Sequence, residues 1–170
     1  NTIGVDVDDR DHIFIVHRTE DSIFRGNTEI GLKGGVSECC TPAPPIIEFD
    51  LDGNIVNAWG GAVEGAPYIW PASNHGIEVA PNGDVWIGGN GGGDSHILVF
   101  SRDGDYIRTI GMPGEPVDSN SETHFGRVAE IAIDAEANEA YIADGYTHKR
   151  VAVVDVATGA FKRYWGAYGN

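Results

Sequence analysis

Three segments decide the fold: IGVDVDDRDHIFI at residues 3–15, HGIEVAPNGDVWI at 75–87 and AEIAIDAEANEAYI at 129–142. Each is an alternating run, a turn rich in Asp, Asn or Gly, and a second alternating run; the third is longer by one residue in its turn. Side chains of a strand point alternately to opposite faces, so two such runs around a turn predict a β-hairpin. A second hairpin follows each of these: IIEFDLDGNIVNAWG at 46–60, HILVFSRDGDYIRTIG at 96–111 and RVAVVDVATGAFKRYWG at 150–166. Asp-Gly or Thr-Gly sits at each turn, and an aromatic residue or Ile followed by Gly closes each last run.

Hairpin plus hairpin makes a four-stranded antiparallel sheet, and its threefold recurrence predicts three blades of an all-β propeller. The blades cover residues 3–60, 74–111 and 128–166, the first interrupted by an insertion at 19–43, and together they form a single partial propeller over 1–170. Apolar residues fall on both faces of each sheet because blades stack on one another. No helical pattern of ten or more residues is present. A β-sandwich is the competing arrangement of the same hairpins, but a sandwich has no need of three near-identical two-hairpin units.

Twenty-four glycines in 170 residues, without a collagen period, agree with many tight turns between short strands. The formal charge is −15, from 26 acidic against 11 basic residues. A surface of that sign repels nucleic acid and anionic lipid, which need clustered Lys and Arg. No apolar run is long enough to span a membrane as a helix. The sequence opens without Met and without a basic-plus-apolar leader, which leaves a mature product and a trimmed piece both open. Cys39 and Cys40 are adjacent and have no third cysteine to pair with. They are expected to be thiols or a strained vicinal disulfide, since one Cys-Cys lacks the ligands of a structural zinc site.

The repeats, together with IVHR at 15–18, HGI at 75–77 and HFGR at 124–127 leading to YIADGY at 141–146, resemble NHL repeats. The chain is similar to the NHL β-propeller group that includes the peptidylglycine amidating lyases, over nearly all its length except the insertion. That resemblance implies a six-bladed ring with zinc on the axis held by three His, calcium nearby, and an Arg and a Tyr flanking the substrate. Carried over by motif, it makes His75 a zinc ligand and the carbonyls of Ile77 and Val5 calcium ligands. It makes Arg18 the substrate-binding arginine and Tyr146 the catalytic tyrosine. The other two zinc histidines and the calcium-binding aspartate of the group have no counterpart in these three repeats, and a catalytic zinc needs three protein ligands. The resemblance also suggests an exported bacterial protein.

Read without the resemblance, His75 at the start of an inner strand is either a metal ligand or a strand cap. Arg18 and Tyr146 fall in loops after second strands, at one propeller face, as a surface cation and a rim aromatic or as part of a site. His17 and His124 are unpaired candidates. The glycine-dense stretch at 88–95 lacks the Lys and following helix of a phosphate loop, and reads as a flexible connection between strands. Acids at 8–11 and 50–54 read as turn residues rather than a calcium loop. The recurrence of Trp59 and Trp165 at one repeat position, with Trp70 and Tyr164 nearby, points to packing between blades.

An arc of three blades leaves apolar faces at both ends. Either further blades or a second copy completes it, and a head-to-tail homodimer making six blades is the expectation. The functional expectation is a scaffold holding a small ligand or protein on one face around the axis. The alternative is a metal-dependent, amidating-lyase-like enzyme whose site is incomplete in these repeats.

Overall fold

The computed structural model describes residues 2–18 and 43–166. Almost all of the insertion at 19–43, including Cys39 and Cys40, lies outside the described residues.

Twelve strands form three four-stranded antiparallel sheets, and the described residues contain no helix. The first sheet is β1 (Thr2–Val7), β2 (Ile13–His17), β3 (Ile46–Phe49) and β4 (Ile55–Trp59). The second is β5 (Asn74–Val79), β6 (Val85–Gly89), β7 (His96–Phe100) and β8 (Tyr106–Gly111). The third is β9 (Glu130–Asp134), β10 (Glu139–Asp144), β11 (Arg150–Asp155) and β12 (Phe161–Gly166). Strand order within each sheet follows the sequence. The sheets touch mainly through their first strands, β1 against β5 and β5 against β9. These are three propeller blades, with β1, β5 and β9 innermost.

The turns explain the hairpins. Asp8 Oδ1 accepts from the backbone N–H of Arg10 at 2.9 Å and of His12 at 2.8 Å, and Asp50 Oδ1 does the same for Asp52 and Asn54. The acids at 8–11 and 50–54 are therefore turn residues, holding the chain reversal with their own carboxylates.

Two apolar seams join the blades. Between blades one and two, Phe14, Val16 and Ile46 meet Ile77, Val85, Ile87, Leu98 and Phe100. Between blades two and three, Trp86, Ile97, Val99 and Ile110 meet Ile131, Ala140, Ile142, Ala152 and Val154. In β6 and β7 of the middle blade successive residues serve opposite seams, so the two-residue alternation continues into the core. Trp59 packs on Phe100 with ring centroids 5.2 Å apart, and Trp70 on the same ring at 5.7 Å. These two tryptophans thus pack between blades.

A charged clamp reinforces the first seam. Arg102, in the β7–β8 turn, bonds the carboxylates of Asp8 and Glu48 in blade one. Its guanidinium carbon stands 5.0 Å from the Phe14 ring centroid. At the outer ends of the arc the pattern stops. Val5 and Val7 of blade one and Trp165 of blade three are exposed, whereas the repeat-equivalent Ile77, Val79 and Ile110 are buried.

Candidate functional site

The inner strands approach closely because glycine is the third residue of β1 and of β5. A Cβ on Gly4 would lie 2.9 Å from the His75 carbonyl oxygen, and one on Gly76 would lie 3.2 Å from that of Ala129. This closeness lets side chains at the strand ends reach across blades. His75 Nδ1 lies 2.9 Å from the Ala129 carbonyl oxygen, which only accepts, so Nδ1 carries the proton. The neutral ring then offers a lone pair at Nε2, and the Tyr146 hydroxyl donates to it at 2.8 Å. The two rings meet edge to face, centroids 5.3 Å apart.

Blade one adds Arg18, which follows β2 and donates from Nη2 to Asn90 Oδ1 at 3.3 Å. Burial pushes its guanidinium below the usual value, opposed by the electrostatic influence of Tyr146. Asn74 sets this end of β5: its Nδ2 donates to the His17 carbonyl, and its Oδ1 accepts from Trp70 Nε1 at 2.8 Å. Arg18, His75 and Tyr146 therefore come from three different blades and gather at one end of the inner strands. His17 and His124 do not join them: His17 Nε2 bonds the Pro44 carbonyl and His124 Nδ1 contacts Thr123.

Val5 and Ile77 lie further along the inner strands. Asp8 N donates to His12 O and Ala80 N to Asp84 O, which fixes the phase of each antiparallel ladder. Alternating pairing then leaves Val5 and Ile77 with backbone groups turned away from β2 and β6, toward the axis. Two carbonyls fall short of the six to eight oxygens that calcium takes. Among the described residues no group of three or more His, Cys, Asp or Glu is arranged to hold a metal ion. His75 brings one imidazole nitrogen where a catalytic zinc needs three ligands, so these residues alone do not fit that metal.

The axis also carries acids that the sequence reading did not single out. Asp6 Oδ2 accepts from Val79 N at 2.6 Å, and Glu78 Oε1 accepts from Ile133 N at 2.9 Å. These are one bond made twice, from the inner strands of blades one and two to the next blade's backbone. Burial raises the Glu78 carboxyl to about 7, with Asp6 and Glu130 adding like charge. The signal for these residues was available at matched repeat positions: Asp6 and Glu78 stand where blade three has Ala132.

The glycine-dense loop at 88–95 is pinned rather than loose. The buried Asp94 carboxylate accepts from the backbone N–H of Ala72, Ser73 and Gly91 at 2.7–3.0 Å. In blade three the matching work falls to Asp144, buried and bonded to Gly126 N, His148 Nδ1 and Arg150 Nε.

No protein-family model matches the chain, and no curated protein matches it. Among solved structures the chain is similar to U3-55K, a β-propeller protein, with a TM-score of 0.61 and 14% identity. The match covers 98% of this chain and 39% of that one. At this identity the likeness establishes the propeller fold alone.

Proposed function

We propose that the chain is an NHL-type propeller scaffold that binds a ligand or partner on the loop face around its axis. The observation that supports this most is the His75–Tyr146 hydrogen bond between blades two and three, with Arg18 brought in from blade one. The Arg18 guanidinium at one end of the axis suits a group carrying acceptor oxygens, such as a carboxylate. The Tyr146 hydroxyl donates to His75, so its lone pairs suit an N–H elsewhere on the same ligand, and Arg18 supplies both the charge and the donors for the carboxylate. The rest of the molecule carries strong negative charge, which would leave this place a local exception for an acidic group.

The test uses N-acetylglycine as a carboxylate probe, observed by chemical-shift changes of the His75 ring and the Tyr146 ring. Saturable shifts that disappear in Arg18→Gln and persist in Arg10→Gln support the reading. Shifts equal in both variants, or none at all, overturn it.

A second reading is favoured by the same convergence: the three side chains that the lyase-group resemblance singles out meet in space. An enzyme of that kind would require metal ligands beyond those described. Zinc retained at one per chain after dialysis, and lost in His75→Ala, supports it; a zinc-free protein with an intact fold counts against it.

For the open blade faces we propose a second copy, arranged head to tail. The repeat supports it: Trp165 and Phe49 stand at the positions of Trp59 and Phe100, which pack on each other across the first seam.

A further inference from the structure

Blade three departs from blade two at the entrance to its inner strand. Position for position, Ala72, Ser73 and Asn74 before His75 correspond to Gly126, Arg127 and Val128 before Ala129. In blade two the Asp94 carboxylate holds two successive N–H groups, those of Ala72 and Ser73. In blade three Asp144 holds Gly126 N and gives its other oxygen to His148 and Arg150. Arg127, the counterpart of Ser73, stands in the left-handed region at a φ of 70°. A side chain of that bulk rarely adopts this backbone, and residues so held collect at ligand clamps and active sites.

The neighbours of Arg127 place it at the axial site. Thr147 N donates to Gly126 O and Ala129 N to Ala143 O, both at 2.9 Å, so Arg127 lies in the stretch of backbone beside residues 144–146. Ala129, two residues on, is the one whose carbonyl holds His75, on which Tyr146 closes. Val128 packs against β6: a Cβ on Gly88 would lie 2.7 Å from Val128 Cγ1. Just past the end of that strand, Asn90 accepts from Arg18. Arg18 from blade one and Arg127 from blade three thus flank the same end of β6.

Arg127 is half-buried and has no partner. Its Nε is shut off from solvent and bonds nothing, and its guanidinium makes no hydrogen bond or ion pair among the described residues. The two Nη groups, equally unbonded, keep solvent access and are the ones a ligand reaches. The chain has 26 acidic residues, and Arg102, Arg150 and Arg163 each take a carboxylate from among them. Arg127 takes none, although Glu130 stands three positions away. A strained backbone and an unmet guanidinium coincide here, beside Tyr146.

We propose that Arg127 is a second anion-binding arginine of the axial site, so that the ligand carries two acidic groups, one met by Arg18 and the other by Arg127. The inference rests on the carboxylate reading of that site and narrows its ligand to a dianion. The planar fork of each guanidinium suits a carboxylate or a phosphate, the two sources of the second charge.

N-acetyl-aspartate is the probe, with N-acetyl-asparagine, of the same shape and one charge fewer, as control. Both are followed through the His75 and Tyr146 ring resonances at constant ionic strength. The expected result is that N-acetyl-aspartate binds roughly 5- to 20-fold more tightly, the worth of one further charge-assisted contact. Arg127→Gln should remove that advantage and leave N-acetyl-asparagine binding as it was, whereas Arg18→Gln should weaken both. Arg127→Gly should also lose the advantage while thermal stability holds or rises, since glycine takes the left-handed backbone without strain. Weaker binding with undiminished stability is not what a merely structural arginine would give. N-acetyl-phosphoserine then separates the sources: tighter binding than N-acetyl-aspartate supports a phosphate, and weaker binding a second carboxylate. Equal affinities for the aspartate and asparagine probes, or an advantage that survives Arg127→Gln, overturn this proposal and leave the axial carboxylate site standing. Binding by none of the three probes overturns both.

Discussion

Tyr146 and His75 are joined by a 2.8 Å hydrogen bond although 71 positions separate them in sequence. The bond has a defined direction because the opposite ring nitrogen donates to the Ala129 carbonyl. Nitrogen-15 spectra of the neutral His75 ring should accordingly show Nδ1 protonated and Nε2 bare. In Tyr146→Phe the Nε2 resonance should move while Nδ1 stays. The exposed hydroxyl contributes little to folding, so stability should change by no more than about 0.5 kcal/mol. A ring protonated at Nε2 would remove the basis for the axial site.

Glu78 should give the fold a pH dependence of unusual sign for a carboxyl. Burial lifts it from 4.5 to about 7 in the folded chain, so between those values the folded state holds a proton that the unfolded state has released. Stability therefore falls as pH rises through that window, then levels off. A displacement of this size corresponds to about 3 kcal/mol for a fully buried group. Part of the carboxyl stays solvated, and screening reduces the effect to roughly 1–2 kcal/mol. Glu78→Gln keeps an acceptor for Ile133 N and loses the charge. Denaturant titrations at pH 5 and pH 8, values chosen to straddle most of the window, should show the variant gaining at the higher pH. An unchanged difference between the two would show that the carboxyl titrates normally.

The blades were legible in the sequence because strand alternation and turn chemistry are local: Asp50 and Asp8 sit within four residues of the groups they bond. Arg18, His75 and Tyr146 were legible through motif alone, and their meeting depends on the close approach of β1, β5 and β9. What joins blades was not legible. Arg102 reaches Asp8 across 94 positions, and in the sequence it is one more charged turn residue. The loop at 88–95 looks slack by composition, yet one buried carboxylate at Asp94 organises it.

Arg102 should be among the most sensitive single positions of the first seam. Its side chain is largely buried, and so are those of Asp8 and Glu48. Arg102→Ala strands two carboxylates against Phe14, and removal of one partner from a buried ion pair costs about 3 kcal/mol or more. Arg102→Lys should recover only part of that. One ammonium cannot spread over both acids and the ring as the planar guanidinium does. Urea midpoints for the two variants measure this directly, and near-native stability of Arg102→Ala would show the clamp to be energetically silent.

Phe49 and Trp165 carry the last prediction. Each occupies a repeat position whose counterpart, Phe100 or Trp59, is packed between blades. Trp165 is exposed and Phe49 half-buried, each on an outer face of the arc. A second copy placed head to tail would set Trp165 of one chain on Phe49 of the other, twice in a two-fold pair. Sedimentation should then find a dimer at micromolar concentration. Trp165→Lys removes a central aromatic anchor worth about 2–4 kcal/mol, and so weakens association roughly 30- to 1000-fold. Tyr141→Phe, on the same face, keeps its ring and should leave association nearly intact. A native chain that sediments as a monomer at that concentration, with Trp165→Lys indistinguishable from it, would mean that a second copy does not cover these faces.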